Sequence, residues 1–165
     1  MSIRTLLLPA TVAIALGAPL PTAAQNTSSA LADVKAQFVG HWELVIYEAF
    51  PSAGAAVDQE YIGRILYDEN DNMSAIGMPI DLPSRSREAG RNVQAGFAYW
   101  GSVSWDVPNS IVIHHVEGSP TRGNWPGSDN VRYYEFTDDG LLKLSLKNAE
   151  GRTTGTLTWR KIHAN

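Results

Sequence analysis

Over most of the chain, hydrophobic and polar residues alternate with a period of two, which sends successive side chains to opposite faces of a β-strand. In 41–48 (HWELVIYE), Trp42, Leu44 and Ile46 share one face, and Glu43, Val45 and Tyr47 share the other. The cleanest run is 141–147, with Leu142, Leu144 and Leu146 inward and Lys143, Ser145 and Lys147 outward. Further strands are predicted over 61–68, 73–78, 96–107, 110–117, 130–137 and 155–162. Residues that tolerate tight or left-handed backbone separate them: Glu69-Asn70-Asp71-Asn72, Pro108-Asn109, the Gly/Pro-rich stretch 118–128, Asp138-Asp139-Gly140 and 148–152. Only 28–38 has a helical period. There Leu31, Val34, Lys35 and Phe38 fall on one face, Ser28 or Ser29 is available as N-cap, and Gly40 lies just past the end. Residues 79–95 have no period and are predicted to form a long loop, of a size that often serves as a lid.

Eight strands in succession, joined mostly by short turns, predict an all-β chain, an up-and-down antiparallel meander with a short N-terminal helix. Closing such a meander into a barrel removes its exposed edges, and a barrel of that size holds either side chains or one small ligand. The predicted organisation is a leader over 1–24, a segment with the helix over 25–37, and a barrel domain over 38–163.

The leader reading rests on Arg4, the apolar run from Leu6 to Leu20, and the small residues Thr22-Ala23-Ala24. Pro9, Pro19 and Pro21 interrupt a run already short of the ~20 residues that a membrane-spanning helix needs. The expectation is therefore an exported protein, secreted or periplasmic, with no membrane span once the leader is removed. The chain of 165 residues has no cysteine, so no disulfide supports it in an oxidising compartment. With 13 Lys+Arg against 17 Asp+Glu it lacks the basic excess a nucleic-acid binder uses to displace phosphate counterions. Arg85, Arg87 and Arg91, with Glu88 among them, are read as a solvated face.

Candidate chemistry centres on 110–117. In a regular strand His115 and Glu117 share one face, and His114 and Val116 share the other. A carboxylate beside an imidazole fixes its tautomer and raises its basicity, so His115 and Glu117 are the candidate acid–base pair if their face lines a pocket. If that face meets solvent, they are a surface pair. The aliphatic residues leave the inward face open, since Ile111 and Ile113 lie on one side and Val112 and Val116 on the other. No local metal motif exists, and neither metal nor cofactor is expected. Tyr99, Trp125 and Tyr133 are candidate aromatic contacts for a ligand, and His114 a candidate polar one. Trp125 sits in a loop, where a large ring covers either a core edge or a ligand mouth. Arg132 can pair with Glu117, hold a ligand carboxylate, or stay solvated. Trp42 and Trp159 are read as core, with Arg160 able to stack over an indole. No nucleophile elbow or phosphate-binding glycine loop is present.

Four segments carry a resemblance. Phe38-Val39-Gly40-His41-Trp42 resembles the Gly-x-Trp start of the first lipocalin strand. Gly63-Arg64-Ile65-Leu66-Tyr67 follows, with its polar turn and Met73-Ser74-Ala75. Next come His114-His115-Val116-Glu117-Gly118-Ser119, Asn124-Trp125-x-Gly127 and Val131-Arg132-Tyr133-Tyr134, and the chain closes on Leu157-Thr158-Trp159-Arg160. In this order, across 38–162, the set is similar to the lipocalin-like domain proteins. The resemblance implies a closed barrel with an interior pocket and no settled reaction, because barrel families divide between carriers and enzymes. The Thr-Asp-Tyr signature of typical lipocalins is missing, with Ser128-Asp129-Asn130 only loosely similar, which argues against transfer of a retinoid.

The expected function is binding of a small lipophilic molecule inside the barrel. The alternative is a cofactor-free isomerase or cyclase in which His115 acts as acid or base and Glu117 orients it.

Overall fold

The computed structural model describes residues 23–81 and 96–163. Helix α1 (Ala23–Phe38) leads into nine strands: β1 (Gly40–Ala49), β2 (Val57–Asp58), β3 (Tyr61–Tyr67), β4 (Asn72–Pro79), β5 (Phe97–Asp106), β6 (Ile111–Gly118), β7 (Asp129–Phe136), β8 (Leu141–Lys147) and β9 (Thr153–Ile162). From β3 to β9 each strand pairs antiparallel with the next, and β3 and β9 both pair with β1. The β1–β9 register runs from His41↔Ile162 to Ala49↔Gly155, so eight strands close on themselves in a barrel. The two-residue β2 is an addition to the expected set, held only against Glu48 and Ala49 at the end of β1.

The turns form as their residues dictate. Asp68 Oδ1 accepts the backbone N–H groups of Asn70 and Asn72, both at 2.9 Å, and Asp71 takes a positive φ of 61°. Gly140 carries φ 79° in the β7–β8 hairpin, where a side chain would be strained. A 3-10 turn at Val107–Asn109 joins β5 to β6, with Pro108 supplying a pre-set φ.

The helix extends further toward the N-terminus than its predicted start, so Ser28 and Ser29 lie inside it and do not cap it. Its predicted face does turn inward: Leu31, Val34 and Lys35 are half-buried, and Phe38 is fully buried. The Lys35 ammonium donates to both Asp71 carboxylate oxygens at 2.6 and 2.8 Å, tying the helix to the β3–β4 turn. Phe38 then closes that end of the barrel among Tyr67, Trp105, Tyr134 and Phe136, with ring centroids 5.0 to 5.7 Å away and edge-to-face geometry.

One parity differs from the expectation. The β1–β9 register slips between Leu44 and Ile46, a bulge that leaves Val45 as the extra residue. Beyond it the faces exchange: Tyr47, opposite Leu157, turns inward, and Ile46 does not continue the face of Trp42 and Leu44. Trp42 and Trp159 are core, 2% and 1% exposed. Arg160 does not stack on either indole. It lies outside, 3.3 Å from Glu43, and Lys161 sits 5.0 Å over the Trp42 ring. The leader up to residue 22 and the loop arginines Arg85, Arg87 and Arg91 lie outside the described residues. No helix among the described residues is long and apolar enough to cross a membrane.

Candidate functional site

At the end opposite Phe38 the barrel holds a cavity of about 160 Å³. Inward residues of β1, β3, β5, β8 and β9 form its apolar wall, with Tyr47, Tyr61, Phe97, Leu146 and Leu157 toward the mouth. Glycine shapes that wall. A Cβ on Gly77 would lie 2.4 Å from the Phe97 ring, so the ring lies against the neighbouring strand instead of across the lumen. A larger groove, about 560 Å³, runs along the outside of the barrel past Ile76 and Trp100. Only the internal cavity brings buried polar groups together.

Its polar strip is built on β5, β6 and β7. The β6 burial pattern sends Val112, His114 and Val116 inward, which settles the parity that the sequence left open. His114 is 1% exposed and bonded at both ring nitrogens, Nε2 to the Tyr67 hydroxyl and Nδ1 to the Tyr99 hydroxyl, each at 2.8 Å. Burial holds its pKa well below the ordinary histidine value, and the electrostatic influence of Arg132 and then of the neighbouring His115 imidazole pushes the same way. It is therefore neutral at pH 7, with one donor and one acceptor nitrogen.

Satisfaction of buried donors sets the direction of these bonds. Tyr67 is 1% exposed, and His114 is its one hydrogen-bond partner among the described residues. If Nε2 carried the proton, the Tyr67 O–H would be buried with no acceptor. Tyr67 therefore donates to Nε2, Nδ1–H donates to the Tyr99 oxygen, and the Tyr99 O–H is left to the cavity that Tyr99 lines. Burial raises the Tyr67 phenol well above its ordinary pKa, aided by Tyr99 and opposed by Arg132. It raises Tyr99 as well, with the charge and hydrogen bond of Arg132 working in the opposite direction. Both phenols stay protonated.

The predicted residues divide between the two faces of the wall. Tyr99, His114, Trp125 and Arg132 line the cavity. Trp125 belongs to its mouth, with its ring edge-to-face on Tyr99 at 5.2 Å and Arg122 5.5 Å above it. The acid–base pair expected at His115 and Glu117 is corrected, because the inward parity of His114 turns both residues away from the cavity. The His115 side chain is 40% exposed, with Nδ1 2.7 Å from Asp129 and Nε2 2.8 Å from the Ser104 hydroxyl. Glu117 is exposed, at the point where the β5–β6 register slips from Gly101↔Val116 to Trp100↔Gly118. Tyr133 is likewise corrected to the outer face, where Lys147 sits 3.7 Å over its ring.

The sequence reading missed Tyr67, Tyr47, Phe97 and Arg122. Tyr67 was within reach: in 61–67 the inward set Tyr61, Gly63, Ile65, Tyr67 follows the strand period without a break. Arg122 had no such signal, since loop residues have no period. Among the described residues no group of three or more His, Asp or Glu could hold a metal ion. In comparison with known proteins, no family model and no curated protein matches the chain.

Proposed function

We propose that the protein binds a small lipophilic molecule in the open end of its barrel, as a carrier and not as an enzyme. The observation that carries this reading is the cavity of about 160 Å³, open at one end and walled mainly by aromatic and aliphatic side chains, with His114, Tyr99 and Arg132 forming a polar strip on one side. An apolar cavity of ~150 Å³ takes up one benzene-sized ring, so this one encloses about one ring of a ligand, and the remainder, such as the second ring of a naphthalene, passes through the mouth. The closed barrel is compatible with a lipocalin-like fold, and the segments across 38–162 that resemble that family support the same reading. The leader pattern of 1–24 supports export.

The isomerase or cyclase alternative gains no such support. General acid–base catalysis works best with a group that titrates near the working pH. Here burial moves the imidazole of His114 down and the phenols of Tyr67 and Tyr99 up, all away from neutrality. Groups held neutral in this way suit the orienting of a ligand by hydrogen bonds.

Native mass spectrometry of protein recovered from the export compartment tests the reading, and also reads whether the chain begins at Gln25. The expected result is a retained small molecule, or saturable uptake of a naphthalene-based dye that Ala75→Leu abolishes by filling the cavity. No retained mass and no dye uptake by the folded protein would exclude it.

A further inference from the structure

The cavity is unbalanced in both charge and hydrogen bonding. Arg132 projects inward from β7, half-buried, beside Tyr99. Apart from the phenol, its guanidinium donates, among the described residues, only to the Val131 carbonyl, at 2.8 Å. No Asp or Glu among the described residues lines the cavity or pairs with it. This occurs in a chain with more acidic than basic residues, in which two other arginines, Arg64 and Arg160, meet Glu43 on the outside. A guanidinium facing an apolar enclosure is costly unless an anion or several acceptors meet it.

The hydrogen-bond inventory has the same sign. The Tyr99 O–H is available to the cavity once the His114 relay is satisfied. Among the described residues, the buried side-chain polar atoms without a partner are all N–H donors: Trp105 Nε1, Asn130 Nδ2 and Trp159 Nε1. Trp159 lines the cavity, and Asn130 stands opposite His114 in the β6–β7 ladder. Among the described residues no buried side-chain acceptor is left over. The interior thus offers an excess of donors and one positive charge, with no carboxylate to meet them among the described residues.

Resting on the carrier reading above, we propose that the ligand is a lipophilic carboxylic acid, whose carboxylate is held by the Arg132 guanidinium and the Tyr99 hydroxyl while its apolar body lies against the aromatic wall. One guanidinium matches the single charge and planar geometry of a carboxylate. A phosphate monoester, with nearly two charges and three equivalent oxygens, would need a second cation at the same depth. Arg122 does not supply it, since it sits exposed over Trp125 at the mouth, where it favours the approach of anions.

The test compares 2-naphthoate with 2-naphthylmethanol and 2-naphthyl phosphate by titration calorimetry at pH 7.5. Wild-type protein is expected to bind the carboxylate at least tenfold more tightly than the alcohol, and more tightly than the phosphate. Arg132→Gln should weaken the carboxylate at least tenfold, to about the affinity of the wild type for the alcohol, and Arg132→Lys should fall between. Near-UV circular dichroism checks that each variant is folded, and the wild-type comparison stands without them. Equal affinity for acid and alcohol would overturn the carboxylate assignment and leave the carrier reading intact, as would preference for the phosphate. If neither compound binds and the dye is also excluded, both proposals fall.

Discussion

At one end of the barrel Phe38 is fully buried among four aromatic rings that meet it edge to face. At the other end a comparable set, Tyr47, Tyr61, Phe97 and Trp125, surrounds a void. Aromatic content does not separate the two ends. What separates them is what stands beside the rings. The closed end has a helix whose last residue drops into the lumen, together with bulky inward neighbours such as Trp42 and Leu142. The open end has small inward residues, Gly63, Ala75, Gly77 and Gly155, which let rings lie along the wall. The Tyr47 ring approaches Gly155 and the Phe97 ring covers Gly77, so each uses wall space that a side chain would otherwise occupy. One barrel thus has a packed end and an end with a cavity.

The sharpest way to break this comparison is Phe38→Ala. Removing a fully buried phenylalanine costs about 3–5 kcal/mol, by lost transfer energy plus the cavity left behind. Urea denaturation followed by tryptophan fluorescence should register that loss, while dye affinity in the protein that remains folded changes by less than about twofold. A small stability loss with abolished dye binding would mean that the two ends are not separate in function.

The next largest effect is expected at His114, where the two ends meet through Tyr67 on one side and Tyr99 on the other. His114→Leu leaves the buried Tyr67 hydroxyl without a partner, at about 1–3 kcal/mol for the unsatisfied group, and takes one hydrogen bond from Tyr99. It also removes a pH dependence whose sign is fixed. The folded imidazole is held below 6.5, whereas in the unfolded chain it titrates near its ordinary value of 6.5. Between the two the unfolded state binds more protons, so wild-type stability falls as pH drops below about 6.5. Urea midpoints at pH 8.0 and 5.5 should therefore converge between wild type and variant as the pH falls. Parallel profiles would mean that His114 protonates in the folded protein as easily as in solution.

The strands and their closure were legible in the sequence because alternation and turn chemistry are local. Asp68 to Asn72 and Asp138 to Gly140 specify their hairpins almost alone, and the helical face of Leu31, Val34, Lys35 and Phe38 needed no tertiary information. The site was less legible, because it depends on parity, and parity is lost in two ways. A bulge carries no mark in a segment such as Leu44-Val45-Ile46, where every residue suits a strand, so the exchange that turns Tyr47 inward is set by pairing with β9. In β6 both faces carry aliphatics. Ile111 and Ile113 are half-buried on the outside, and only the ladders to β5 and β7 decide that His114 and not His115 meets the cavity. The adjacent tyrosines of β7 pose the same problem: Tyr133 faces out, and Tyr134 packs against Phe38.

That ambiguity leads to the smallest expected effect, which sharpens the contrast between the two faces of one strand. His115 and Glu117 differ from His114 by one and three positions, yet the wall of the barrel stands between them and any ligand. The half-exposed hydrogen bonds of His115 to Asp129 and Ser104 are in competition with water. His115→Ala should therefore cost under about 1 kcal/mol, the range of surface pairs. Glu117→Ala, at an exposed position, should change stability by no more than about 0.5 kcal/mol. Neither should move the affinity for 2-naphthoate or for the dye, in contrast with Arg132→Gln. A tenfold loss of binding in His115→Ala, in protein with an unchanged near-UV spectrum, would mean that the ligand reaches the outer face of β6, and the assignment of the binding site to the interior would fall with it.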